Sequence, residues 1–319
     1  MSRRYAYSLP AFLLTVCLLL PAPPSSAGVT VPFEPQGTFD FTRTAEMAIN
    51  YARAYLKRQA TEGPDGQQLR LRWSSKAALD NLERQLQQAP GDLDLQTALG
   101  VMLWGSSRPK EAQRLFEQSV RANPSYAIGH CYLAHLALLE DDWSGYGRHF
   151  EDAIQADPTY VPAYNSVAIF YNKIGKIDAA LRILTQGITR LPNEASFFYN
   201  QAIIHGSQEN WEAAQVSLQH AVARQPTQDN RLMLGMILLK RQDYASAQAV
   251  FELMLDRNPK DVRVLLGLAT ASKGKQDFAM AISLAEQALA VDPANEEIKA
   301  EVQEHKEAYE KWKSQQKEK

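Results

Sequence analysis

The sequence predicts an all-α chain built as a stack of helix pairs, and three observations carry that prediction. Prolines at 90, 124, 158, 192, 226, 259 and 293 lie 34, 34, 34, 34, 33 and 34 residues apart. Small residues keep the same phase. Ala78, Ala112, Ala180, Ala214, Ala247 and Ala281 stand twelve positions before a proline, and Gly100, Ala134, Ala168, Ala202 and Ala269 stand ten after one. Large apolar residues recur eight before the prolines, at Leu82, Phe116, Phe150, Leu184, Leu218 and Phe251. A fixed period near 34 residues is the signature of a helical repeat array, in which one unit cannot bury its apolar face alone and the stack makes the core.

Bulk composition fits that class. The 319 residues are 45% hydrophobic and 22% charged, enough for a substantial core. A net charge of −2 gives no support for nucleic-acid or anionic-membrane binding, so neither is expected.

Taken from the N-terminus, the first element is a secretory signal over 1–27. Arg3 and Arg4 precede the apolar run AFLLTVCLLL (11–20), and Ser25 and Ala27 occupy the −3 and −1 positions of a small-residue cleavage site. The run is too short to span a bilayer, so the mature chain is expected to carry no transmembrane segment and to be exported, periplasmic or secreted. Cys17 would leave with the signal. Cys131 then has no internal partner and reads as a small buried apolar residue, with a reactive thiol or an intermolecular bridge as the other readings.

Residues 28–40 read as an extended leader. Residues 41–90 form an irregular helical pair. Thr42–Gln59 aligns Ala45, Ala48, Ile49, Ala52 and Leu56, a Gly/Pro/Asp loop fills 61–67, and Ser75–Ala89 keeps the repeat phase. Six units follow at 91–124, 125–158, 159–192, 193–226, 227–259 and 260–293. Residues 294–319 hold seven Glu and six Lys, with Ile298, Val302, Tyr309 and Trp312 on one stripe, and read as a capping helix with a polar outer face.

The stretch YNKIGKIDAALRIL (171–184) shows the logic of one unit. Gly175 tolerates a positive φ and stops the first helix. Asp178 suits the positive end of the second helix. Ala180 permits a close helix crossing, Leu184 fills the space one turn on, and Pro192 forces the preceding residue out of the helical region. One unit departs from the pattern. Tyr146 replaces the expected Ala between Gly145 and Gly147, which predicts a locally irregular helix with the glycines making room for the ring.

Leu133-Ala134, Ala180, Leu184 and Pro192, with their counterparts in neighbouring units, resemble the tetratricopeptide repeat (TPR) family over Gly91–Pro293. The resemblance implies a TPR α-solenoid, a right-handed superhelix of helix-turn-helix repeats. It also implies that the first helix of each unit lines a concave groove for a protein or peptide. The family's groove positions fall on Val101 and Trp104; Tyr132, His135 and Leu138; Asn165, Ile169 and Asn172; and Tyr199, Asn200 and Ile203. In the last two units they fall on Met233, Met236 and Leu239, and on Arg263, Thr270 and Lys273. The Lys and Asn clamp by which chaperone-binding members hold a terminal carboxylate is replaced by Cys131 and His135, Asn165 and Ile169, or Tyr199 and Ile203. The largely apolar set suits an amphipathic helix or extended apolar segment instead.

Catalytic chemistry has no sequence signal. The six His form no metal-ligand spacing, and no phosphate loop, dinucleotide fingerprint or nucleophile elbow is present. No catalytic residue, metal or cofactor is therefore expected, and the chain is read as a non-catalytic adaptor. The expected setting is assembly of a bacterial envelope machine such as a pilus, a secretion apparatus or a polysaccharide exporter. The other reading is a glycan-binding or enzyme-assisting module, in which Trp104, Tyr132 and Tyr199 stack on sugar rings. The oligomeric state stays open.

Overall fold

The computed structural model describes residues 76–106 and 108–317. The expected signal peptide, the leader, the helix Thr42–Gln59 and Cys17 lie outside the described residues. Within them are fourteen α-helices and no strand. In chain order they are α1 (Lys76–Gln88), α2 (Leu93–Gly105), α3 (Pro109–Ala122), α4 (Ala127–Leu139), α5 (Trp143–Ala156), α6 (Val161–Lys173) and α7 (Ile177–Arg190). Then come α8 (Ala195–Ser207), α9 (Trp211–Arg224), α10 (Gln228–Lys240), α11 (Tyr244–Leu255), α12 (Val262–Gly274), α13 (Phe278–Val291) and α14 (Glu296–Lys317).

The described residues fall into two compact units, 76–179 and 180–317, divided within α7. In the first unit α1 to α5 each pack against the next helix along the chain. Its core holds Leu82, Phe116, Tyr132, Phe150 and Tyr164, all but closed to solvent. The Phe116 ring stacks on Tyr132 with centroids 4.7 Å apart. Phe116 also lies over Gly100, where an added Cβ would stand 2.5 Å from the ring. The small residue thus marks the place where the aromatic ring of one helix meets the backbone of the other.

In the second unit the same rule holds. Ala180 and Leu184 are fully buried. A Cβ on Gly187 would stand 2.8 Å from the ring of Phe197. Consecutive helices from α8 to α14 pack together where their contacts are described, and α10 also touches α12, the first helix of the following pair. One core runs from Phe198 to Val302.

The turns inside the pairs repeat a backbone device. Gly175 has φ 77°, as its identity predicts. Asp141, Glu209, Gln242 and Gln276 take the same left-handed conformation at φ 57°, 56°, 60° and 64°. These five positions are 34, 34, 33 and 34 residues apart, so the turn, like the prolines, keeps the repeat phase. In four pairs the next residue caps the second helix: the side chains of Asp142, Asn210, Asp243 and Asp277 accept from the backbone N–H three residues on.

The stretch DDWSGYGRHF corrects one expectation. α5 runs unbroken from Trp143 to Ala156, and its glycines serve neighbours other than Tyr146. A Cβ on Gly145 would collide with the capping carboxylate of Asp142, and one on Gly147 would stand 3.2 Å from the Phe170 ring. Tyr146 and Trp143 pack on the same Phe170, with centroids at 4.7 and 6.2 Å.

Helix α14 lies on α13, burying Ile298, Val302 and His305. Farther along, Tyr309 stacks on Phe278 at 5.8 Å and Trp312 packs tilted against it at 5.6 Å. His305 belongs to the buried stripe, although its polarity kept it off the predicted one.

Candidate functional site

First helices present their faces through residues three or four apart, because such residues line one side of a helix. Burial divides the expected groove residues into two groups. Tyr132, Asn165, Tyr199, Asn200 and Met233 are buried at 0 to 4% exposure, so they belong to the packing between helices. Trp104, His135, Ile169, Asn172, Ile203 and Met236 are half-buried, and Arg263 is exposed. The family pattern names groove positions by helix face alone. It does not see whether a neighbouring helix covers that face.

In the first unit Val101 is buried, whereas Trp104, His135, Leu138, Ile169 and Asn172 keep part of their surface open. The His135 ring packs edge-on against Phe150 at 5.9 Å, and its Nδ1 lies 3.2 Å from the Cys131 carbonyl. Cys131 itself is closed to solvent, and burial pushes its thiol pKa well up. That environment matches the small buried residue rather than a reactive thiolate.

In the second unit Ile203 on α8 and Met236 and Leu239 on α10 are partly buried against the core, with the rest of each side chain open. Ile203 and Met236 are one repeat apart and share a face. On α12 the expected positions are diverted to other work. Thr270 reaches Glu301 at 3.5 Å, Lys273 pairs with Glu304 at 2.7 Å, and both partners belong to α14. Arg263 is engaged by Asp261 at 3.3 Å. The last pair is therefore the one whose first helix meets the terminal helix.

Two titratable groups on α14 are strongly displaced. Burial raises the Glu301 carboxyl to about 7, and the neighbouring Glu304 adds to the rise. Burial lowers His305 to about 4, with Lys273 pushing the same way. His305 Nε2 is 3.8 Å from Glu301 Oε1.

The aromatic residues expected to stack on sugars divide likewise: Tyr132 and Tyr199 are buried, and Trp104 alone is half-open. Another group was invisible to the spacing rules. The fold brings His130 of α4 and His149 and Asp152 of α5 together, with one ligand atom of each within 4.8 Å of the others. The expectation of no metal ligands rested on spacing along single stretches, and these three residues come from two antiparallel helices. The only sequence trace is His149 and Asp152 at i, i+3, which share a helix face.

A family profile described as tetratricopeptide repeat matches residues 232–296. A human protein, tetratricopeptide repeat protein 6, is 23% identical over 161 residues, covering 50% of this chain and 31% of the human one. The chain thus spans about a third of the curated relative it matches. Among solved structures, the C-terminal part of a TPR repeat-containing protein from Cytophaga hutchinsonii aligns with a TM-score of 0.56 at 14% identity, covering 70% of this chain and 93% of that one. PilF of Pseudomonas aeruginosa aligns at 0.49 and 17% identity, covering 72% and 99%.

Proposed function

This chain is a tetratricopeptide-repeat protein, and on that premise we propose that it is a non-catalytic adaptor holding an apolar or amphipathic segment of a partner protein on its first-helix faces. The fold class is that of protein-interaction scaffolds. The observation that carries the finer reading is the pair Ile203 and Met236. They lie one repeat apart on successive first helices, rooted in the core and open on their outer sides. A flexible thioether beside branched aliphatics adapts to an apolar ligand surface. The missing Lys and Asn clamp argues against recognition of a terminal carboxylate.

The setting we propose is the bacterial envelope, with export directed by residues 1–27 and the partner belonging to an envelope assembly machine. Arg3, Arg4, the apolar run 11–20 and Ala27 support export. N-terminal sequencing of the protein from its native host tests it: a mature chain starting at Gly28 agrees, and a retained Met1 in the membrane-free cytoplasm refutes it.

Binding is tested with the full chain and a panel of amphipathic helical peptides. Ile203→Glu and Met236→Glu together are expected to weaken the best peptide at least tenfold while the circular dichroism spectrum is retained. Unchanged affinity in that folded variant rules this face out.

A further inference from the structure

His130, His149 and Asp152 form a three-donor cluster at one edge of the α4–α5 pair. We propose that this cluster is a zinc site, with two imidazoles and one carboxylate as protein ligands and a fourth position left for water or a donor from a partner. Three features carry it.

The first is convergence. His149 and Asp152 are i, i+3 on α5 and present both donors on one face, and α4 brings His130 to the same point from the opposite helix. His149 Nδ1 already lies 3.7 Å from Asp152 Oδ2. Ligands of a tetrahedral zinc stand about 3.4 Å apart when its bonds are about 2.1 Å long. The observed limit of 4.8 Å is wider than that, and zinc binding requires rotation of these side chains to draw the donors together.

The second is the state of the donors. Nδ1 of His130 and Nδ1 of His149 are both buried and have no hydrogen-bond partner among the described residues. Buried polar atoms of a native fold find partners as a rule, so two unpartnered ring nitrogens beside one carboxylate need an explanation. A bound cation supplies it.

The third is the choice of ion. Two imidazoles and a carboxylate make a borderline nitrogen and oxygen set, too nitrogen-rich for calcium or magnesium and free of the thiolates that select copper(I). Three protein ligands with an open fourth position is a common zinc arrangement. Here zinc would clip α4 to α5 where Gly145 and Gly147 lower the intrinsic helix propensity of α5.

The test uses the untagged full chain, stripped with chelator and titrated with Zn²⁺ alone by calorimetry near neutral pH. One equivalent should bind, and Co²⁺ should give the intense visible bands of a four- or five-coordinate ion. Asp152→Asn and His149→Gln should each weaken zinc by more than the roughly 10–100-fold that loss of an outer-shell partner costs. His220→Gln, an exposed histidine on α9, should leave it unchanged. Zinc should raise the melting temperature of the wild type and of His220→Gln, and leave that of Asp152→Asn where it was. Asp152 is more open than His149, so its variant keeps the test valid if His130→Gln fails to fold. Failure of the wild type to bind, equal binding in Asp152→Asn, or equal loss in His220→Gln overturns the site.

Discussion

The ring of Phe251 stands so close to Gly267 that a Cβ added there would lie 2.6 Å from its Cζ. Gly235, in the helix pair to which Phe251 itself belongs, meets the same ring at 2.6 Å. One aromatic side chain is thus wedged between the first helices of two successive pairs, and glycine on both sides sets how near the helices come. Gly267→Ala should destabilise the protein by about 1–3 kcal/mol, the cost of overpacking a filled core. Gly91→Ala, with nothing within 4 Å of the new methyl, should change stability by no more than ~0.5 kcal/mol. Urea unfolding of the two variants checks this, and equal midpoints would contradict it.

The left-handed turn residues predict gains as well as losses. A non-glycine residue in that region carries ~1–2 kcal/mol of steric cost, offset in part by the extra backbone freedom that glycine loses on folding. Gln242→Gly or Glu209→Gly should therefore stabilise by ~0.5–1 kcal/mol, and Gly175→Ala should destabilise by ~1 kcal/mol. Thermal melts of the three single variants decide it; a loss in both glycine variants would show that those turns are held by their side chains.

Capping adds a separate contribution one residue later. The Asp243 carboxylate accepts from the Ser246 N–H at 3.2 Å. Asp243→Ala should lower stability by ~1 kcal/mol, and Asp243→Asn should restore most of it. Similar losses in both variants would assign the effect to charge rather than to the hydrogen bond.

The α12–α14 contact should give a pH signature. Glu301 takes up its proton more readily in the fold, so its contribution is complete below its ordinary value of 4.5 and is lost as pH rises through about 7. His305 is held neutral, so its contribution is complete above its ordinary value of 6.5 and is lost as pH falls through about 4. Between those values the two oppose each other, with Lys273 and Glu304 facing both. Glu301→Gln should unmask the histidine, so its melting temperature falls more steeply than that of the wild type from pH 6.5 to 4.5. Parallel profiles for variant and wild type would refute the displaced pair.

The phase of the repeats was legible because sterics write it into residue identity. Pro192 cannot continue the helix before it, Ala180 permits a close crossing, and Gly175 suits a positive φ. Asp141, Glu209, Gln242 and Gln276 adopt the same backbone without a residue type that declares it. Their conformation follows from the fixed geometry of the pair. The binding face was half legible. Helical periodicity places Tyr132 and Ile169 on equivalent faces, but only the packing of neighbouring helices decides that the first is closed and the second open. The His130, His149 and Asp152 cluster was not legible, because its members meet across a helix pair and not along one.

Cys131, shut inside the first unit with its thiolate disfavoured, makes that unit report on itself. A thiol reagent can reach the sulfur only when the helices around it part, so the labelling rate in native buffer counts those openings one molecule at a time. Followed by mass spectrometry with and without a candidate ligand, it reads how far that ligand quiets the breathing of the first unit, with no probe introduced.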